Sequence, residues 1–312
     1  MKTVFIVNPK AGKGKKEKQL IEQICTLIAL NNTDWEWYLT QSVGDATRFV
    51  KEYCETKGVA RFIACGGDGT FGEVVNGVFG FPDAEVGVIP IGTGNDFCRN
   101  FSKNIDFFDL ELQASSKTAV CDVIRYVTEV DGMEKQGICA NMFNIGFDCN
   151  VADKTNDFKA NTIFGGSFAY VVSILWNLIR KKSTNLLVEL DGIKQYNGEL
   201  LLCSVANGKY CGGGIMSNPL AEVTDGKMNV NLIRNISRLR FLSLLPSYMK
   251  GTHLKIRGIE KIIINRDCEI LTVTPKTGIM RLCIDGEIIT AGTTTFTVIP
   301  GGIRFVLPQK NR

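Results

Sequence analysis

Through the first hundred or so residues, solid apolar runs alternate with stretches that carry a helical repeat. Thr3 to Asn8, Trp35 to Thr40, Val59 to Cys65 and Val86 to Ile91 are short runs of the kind a fully buried strand shows. Between them, Lys16 to Leu30 places Leu20, Ile21, Ile24, Leu27 and Ile28 on one side of a helix. Asp45 to Lys57 does the same with Ala46, Phe49, Val50 and Tyr53, and Phe71 to Val78 is helix-like. Strands alternating with helices over short connections predict an α/β N-terminal domain with a doubly wound, mainly parallel sheet.

After Asn100 the pattern changes. A short helix is expected at Ile105 to Leu112, and strands then dominate. They are expected at Val120 to Val130, Ile138 to Ile145, Leu186 to Leu190, Glu199 to Ala206, Met228 to Ile233, Lys261 to Ile264, Glu269 to Val273, Met280 to Ile284 and Thr293 to Ile299. Gly132, Gly192, Gly278 and Gly286 punctuate them, so this half reads as an antiparallel β-sandwich, with helical insertions near Phe168 to Arg180 and Leu239 to Lys250. The domain boundary falls near residue 120, giving domains of 1–120 and 121–302.

The strands after Val59 and Val86 each empty into a loop of glycines, a hydroxyl and an aspartate: CGGDGTFGE at Cys65 to Glu73 and GTGNDFCR at Gly92 to Arg99. Glycine lets a ligand approach the backbone closely. A helix starting just beyond points free N–H groups at an anion. An aspartate beside a phosphate needs a cation between them, so Asp68 and Asp96 suggest phosphate with Mg²⁺. A lone Gly-Asp-Gly is more simply a turn; two such loops at strand carboxyl ends point to a nucleotide site. The first strand enters NPKAGKGKK, small residues with positive charge, though without Walker A spacing. Glu73 and Asn76 are ambiguous, since a carboxylate early in a helix also complements its positive end.

NPKAG at Asn8 to Gly12, GGDGTFGEVVNG at Gly66 to Gly77 and PIGTGNDFCR at Pro90 to Arg99 together resemble the diacylglycerol kinase catalytic family, in particular its soluble bacterial lipid kinases. The resemblance implies transfer of the γ-phosphate of ATP to a lipid alcohol in a cleft between the domains, with diacylglycerol the default acceptor. It implies a nucleotide site of Asn8, Pro9, Lys10, Ala11, Gly12, Thr40, Gly66, Gly67, Asp68, Gly69, Thr70, Glu73, Thr93 and Asn95. Asp68, Asp96 and Asp122 would arrange Mg²⁺ and its waters. In CIDGEI at Cys283 to Ile288, Glu287 is the implied base accepting the hydroxyl proton, and Asp285 is near enough in sequence to serve instead. In PLAEVTDGKM at Pro219 to Met228, Asp225-Gly226 alone is a hairpin signal. The resemblance makes it a structural Mg²⁺ site, with the Asp225 carboxylate and carbonyls near Glu222 and Lys227. It also returns a final strand, Ile303 to Leu307 within 303–312, to the first domain, and makes a homodimer plausible.

Composition adds limits. The chain has 312 residues, 45% hydrophobic and 22% charged, with net charge +4. That charge is too weak to argue for nucleic acid, though it is compatible with an anionic lipid surface. The 11 cysteines show no CxxC pair or zinc spacing. With no signal peptide at the start, they read as reduced thiols of a cytoplasmic protein with peripheral access to the inner membrane face. His253, the single histidine, lies far from every motif. Thr162 to Ile179 mimics a membrane span but carries polar and glycine breaks, which favour a helix packed on a sheet or touching a bilayer over a transmembrane anchor. An NAD kinase shares the GGDGT loop and is the nearest rival. A non-catalytic nucleotide- or lipid-binding regulator is another, and a Rossmann dehydrogenase lacks its G-x-G-x-x-G.

Overall fold

The computed structural model describes residues 1–14, 17–31, 33–102, 104–146 and 183–309. The expected helix at Phe168 to Arg180 and the span-like stretch at Thr162 to Ile179 lie outside them. The chain divides into two compact units: Met1–Asp122 with Gly301–Arg312, and Val123–Pro300.

The first unit is built on parallel strands β1 (Thr3–Val7), β2 (Trp35–Leu39), β3 (Arg61–Gly66) and β4 (Glu85–Pro90). β1 lies between β2 and β3, and β4 lies beyond β3. Three helices connect these strands: α1 (Glu17–Asn31), α2 (Asp45–Lys57) and α3 (Asp68–Val78). β1 is buried along its whole length, so its alternating side chains need cover on both faces. On one face Phe5, Val7, Ile63 and Ile89 pack with Leu20 and Ile24 of α1. α2 and α3 lie against each other, where Gly77 allows close approach: a Cβ there would sit 2.7 Å from Val50 Cβ. Phe71 of α3 joins Phe97, Phe101 and Phe305 in a ring cluster with centroids 4.8 to 5.7 Å apart. Each such ring contributes about 2 kcal/mol through burial.

Helix α3 starts at Asp68, a turn earlier than the apolar pattern from Phe71 suggests, because its first turn is Asp, Gly and Thr. The helix expected at Ile105 to Leu112 is instead α4 (Leu110–Ser115). Asp106 holds a turn by accepting the Phe108 N–H, and Asp109 caps α4 by accepting the Leu112 N–H at 2.9 Å.

The second unit is antiparallel. It contains β6 (Met133–Cys139), β7 (Met142–Gly146), β8 (Thr184–Leu190), β9 (Ile193–Ala206), β10 (Met228–Arg234), β11 (Ile263–Cys268), β12 (Ile270–Pro275), β13 (Met280–Ile284) and β14 (Glu287–Ala291). Two long strands run from one unit into the other: β5 (Thr118–Val130) and β15 (Thr294–Val306). Inside the sandwich, Ile124, Phe143, Val188, Val205, Val230, Leu271, Leu282 and Phe296 form one buried core. Helix α5 (Arg238–Met249) covers a second cluster that includes Leu202, Ile233 and Ile263.

Several strand boundaries differ from the sequence reading. Ile138 to Ile145 is two strands, broken at Asn141, whose carbonyl accepts the N–H groups of Asn207 and Gly208. The run from Thr293 and the run at Ile303 to Leu307 are a single strand, β15, whose Arg304 and Phe305 pair parallel with β4. β14 was not foreseen, because EIITA is short and opens on a charge. Asp131-Gly132, Asp191-Gly192 and Asp285-Gly286 turn the hairpins β5–β6, β8–β9 and β13–β14 with both residues at positive φ. Asp225-Gly226 is not one of them. It ends a loop, and Asp225 Oδ1 accepts the Lys227 N–H at 3.0 Å.

Candidate active site

In β1 and β3 the chain delivers Asn8 and Gly66 to the carboxyl edge of the sheet, where the strand order reverses direction. Ligands of open α/β sheets bind at such points. The Asn8 N–H donates to the Cys65 carbonyl at 3.1 Å, its Nδ2 donates to Thr70 Oγ1 at 2.9 Å, and its Oδ1 accepts the Lys10 N–H at 2.9 Å. One side chain thus fixes the NPK turn to the first turn of α3. A Cβ on Gly66 would collide with the Thr70 side chain.

The two glycine loops are locked together. The Gly92 N–H donates to the Gly66 carbonyl at 3.1 Å, and a Cβ on Gly92 would collide with Gly67 Cα. The Asp68 carboxylate accepts the N–H groups of Asn95 and Asp96, each at 2.7 Å. Asn95, at positive φ, donates through Nδ2 to the carbonyls of Pro90 and Gly92. Burial pushes the Asp68 carboxyl up, and the amides of Asp96 and Asn95 pull it back. Asp96 lies beside Arg99, Oδ1 to Nε 3.5 Å, and Thr93 is exposed at the loop tip.

An open pocket of about 90 Å³ sits at the carboxyl ends of β1 and β2. The expected residues Asn8, Pro9, Lys10, Thr40, Thr70 and Glu73 line it. Gln41, Ser42, Val43 and Ala46, from the loop into α2, complete it and were not foreseen. Their signal was position alone, just past the end of a parallel strand. Glu73 serves the neighbouring helix: its Oε2 accepts the Ala46 N–H at 3.1 Å in the first turn of α2. Gly44, just before that turn, offers no side-chain oxygen to do so. Ala11 and Gly12 do not line the pocket: they open a short turn just after Lys10, with Ala11 buried in the core beside Leu20 and Ile24, and Gly69 lies exposed in the first turn of α3.

Asp122 is buried and accepts the Gly301 N–H at 2.8 Å, tying β5 to β15. Among the described residues, no three His, Cys, Asp or Glu side chains are grouped as ligands for a metal ion. Asp68, Asp96 and Asp122 therefore do not form a three-carboxylate cluster. Asp68 and Asp96 are neighbours, since a Cβ on Gly94 would meet carboxylate oxygens of both.

In the second unit, Asp285 stands at φ 46° in the turn of β13–β14. Its Oδ1 accepts the Met142 N–H at 2.9 Å and its Oδ2 the Cys139 thiol at 3.2 Å. Burial, with Asp285 beside it, pushes the Cys139 thiol well up. Glu287, two residues on, is exposed at the start of β14. Just before the Asp225 loop, Ser217 and Asn218 are fixed by buried polar bonds, Ser204 Oγ to Asn218 Oδ1 at 2.7 Å and Asn231 Nδ2 to the Ser217 carbonyl at 2.8 Å. Glu222 pairs with Lys209 at 2.6 Å.

A parallel α/β unit with glycine loops at its switch point, joined to an antiparallel β-sandwich, is the architecture of a class of lipid and nucleotide kinases. Residues 2–126 match the diacylglycerol kinase catalytic domain, and residues 141–307 match the YegS C-terminal NAD kinase beta sandwich-like domain. The chain belongs to this lipid kinase family. It is 28% identical to the diacylglycerol kinase of Mycobacterium tuberculosis over 218 residues, 68% of each chain. It is also 28% identical to the "Probable lipid kinase YegS-like" protein of Pseudomonas aeruginosa over 272 residues, 86% of this chain and 83% of that one. The crystal structure of a diacylglycerol kinase from Bacillus anthracis shares the fold, with a TM-score of 0.69 at 21% identity, covering 98% of this chain and 96% of that one. Among the described residues no helix is long and apolar enough to cross a membrane.

Proposed function

We propose that the chain transfers the γ-phosphate of ATP to the hydroxyl of a lipid alcohol at a membrane surface, with diacylglycerol the first acceptor to try and phosphatidic acid the product. The observation that carries this reading is the pocket lined by Asn8, Lys10, Thr40, Thr70 and Glu73 beside two interlocked glycine loops. Small residues there leave room for phosphates, and Lys10 supplies charge. The diacylglycerol kinase relatives support the acceptor class.

Glu287 is the base in this reading. It is exposed and free to meet a hydroxyl, whereas both oxygens of Asp285 are engaged with the Met142 amide and the Cys139 thiol. Asp285 holds the hairpin that presents Glu287. Asp68 and Asp96 would hold Mg²⁺ through water, and Mg²⁺ bound with ATP would neutralise charge on the transferring phosphoryl group. Asp225, with carbonyls of Glu222 and Lys227, would hold a structural Mg²⁺ whose oxygen ligands suit a hard cation.

The test is transfer of label from [γ-³²P]ATP to diacylglycerol, phosphatidylglycerol and a sphingoid base in mixed micelles, with NAD as a control acceptor. Label in phosphatidic acid, lost in Asp68→Ala and in Glu287→Gln, is the expected result. Full activity in both variants would remove the site assignment, and label in NADP would assign an NAD kinase instead.

A further inference from the structure

Among the described residues, helix α5 packs on its sheet by one face and leaves side chains of the other exposed. Phe241, Leu244, Leu245 and Tyr248 recur at helical spacing and join the apolar cluster beneath. On the opposite side Leu239 is 81% exposed and Leu242 38% exposed, with Pro246 and Lys250 exposed along the same stripe. Arg238 and Arg240, also exposed, flank the stripe on its two sides. Ser237 caps the helix by accepting the Arg240 N–H.

Along the chain, the charge between Asp225 and Glu260 is one-sided. From Gly226 to Ile259 the chain has seven Lys and Arg and no Asp or Glu. Lys255 and Arg257, just after α5, are exposed as well. No ion pair among the described residues engages Arg240, Lys250, Lys255 or Arg257. Across the whole chain the excess is only +4, so this segment concentrates more positive charge than the entire molecule carries net.

We infer that α5 is an interfacial docking helix, which seats Leu239, Leu242 and Pro246 among the acyl chains of an anionic bilayer while its flanking arginines and lysines meet the lipid phosphates. Exposed leucines between cations are what a helix lying in the headgroup layer needs, because long basic side chains reach back to the phosphates while the apolar stripe sinks. Each cation near such a surface adds roughly a fivefold gain in binding. A second copy of the chain fits the face less well, since a two-fold contact would set the same cations against each other. The inference deepens the lipid-kinase reading by naming how the enzyme reaches its substrate, but its binding test needs neither ATP nor an acceptor.

The experiment is sedimentation of the full chain with sucrose-loaded vesicles, either phosphatidylcholine alone or phosphatidylcholine with phosphatidylglycerol. The expected result is binding only to the anionic vesicles, weakened by salt. The Leu239→Glu/Leu242→Glu and Arg240→Glu/Lys255→Glu variants should each bind at least about tenfold more weakly. The milder Leu239→Ser/Leu242→Ser variant guards against a folding defect, with thermal unfolding as the check. Equal binding by wild type and all variants overturns the inference. So does a wild-type dimer in sedimentation velocity that the leucine variants dissolve without any change in vesicle binding. Phosphorylation of a detergent-dispersed acceptor separates the two readings. Variants that keep this activity but lose it on vesicles support docking by α5. Anionic-vesicle binding that follows the variants, in a protein with no kinase activity on any acceptor, also supports docking and removes only the kinase reading.

Discussion

The glycine loops of the first unit and the Asp-Gly turns of the second use the same two residue types for different physical ends. At Gly92 the backbone is ordinary and space is the constraint, because Gly67 occupies the volume a side chain would need. At Gly192 there is nothing within 4 Å of an added Cβ, and conformation is the constraint, with φ at 77°. The aspartates differ in parallel. Asp68 opens a helix and reaches across to hold two amides of another loop. Asp191 and Asp285 sit in turns at positive φ and hold their own hairpins to neighbouring strands. A Gly-Asp pair in a sequence therefore does not say whether it marks a site or a corner. What its glycine supplies, room for a neighbour or a backbone at positive φ, does say.

Four substitutions test the contrast. Gly92→Ala should cost the most, roughly 3 kcal/mol by chemical denaturation, since backbone must move on both loops. Asp68→Ala should follow at roughly 2 kcal/mol, because two partly buried amides lose their acceptor. It should also lower phosphoryl transfer by more than about 100-fold if the loops cradle the nucleotide. Gly192→Ala should cost about 1 kcal/mol, the strain of a side chain at positive φ, with activity unchanged. Asp285→Asn should cost least, about 0.5 kcal/mol, because Asn tolerates the turn and keeps an acceptor for the Met142 amide. If Gly92→Ala proved as mild as Gly192→Ala, the loops would not be packed as described and the contrast would collapse.

Much of the first unit could be read from the chain, because a buried parallel strand leaves an unbroken apolar run. Phe5, Ile63 and Val88 sit in such runs, and every strand of the α/β sheet up to β4 was found within two residues of its end. The antiparallel unit was harder. Ile138 to Ile145 is apolar enough to look continuous, and only the backbone bonds of Asn141 reveal the break. β14 hid behind Glu287, which reads as loop because it is charged and exposed. In the pocket, Asn8, Lys10 and Thr70 belonged to motifs and were legible. Gln41, Ser42 and Val43 belong to none, and only their place just past the end of β2, next to Thr40, hinted at them. The partner of Glu73 was equally hidden, since Ala46 lies 27 positions away on another helix.

The return of β15 to the first unit has a consequence for the order in which the molecule can be made. Gly301 to Gln309 follow the whole of the second unit in the chain, yet Phe305 fills the ring cluster against Phe71, Phe97 and Phe101. On a ribosome, the first four parallel strands of the first unit are synthesised before the second unit, but they lack the β15 strand that completes them until the second unit has emerged. The first unit's aromatic core stays open and sticky through that interval. The half that comes out first is thus the half that finishes last, and a chain released before Phe305 would display Phe71, Phe97 and Phe101 to chaperones and proteases.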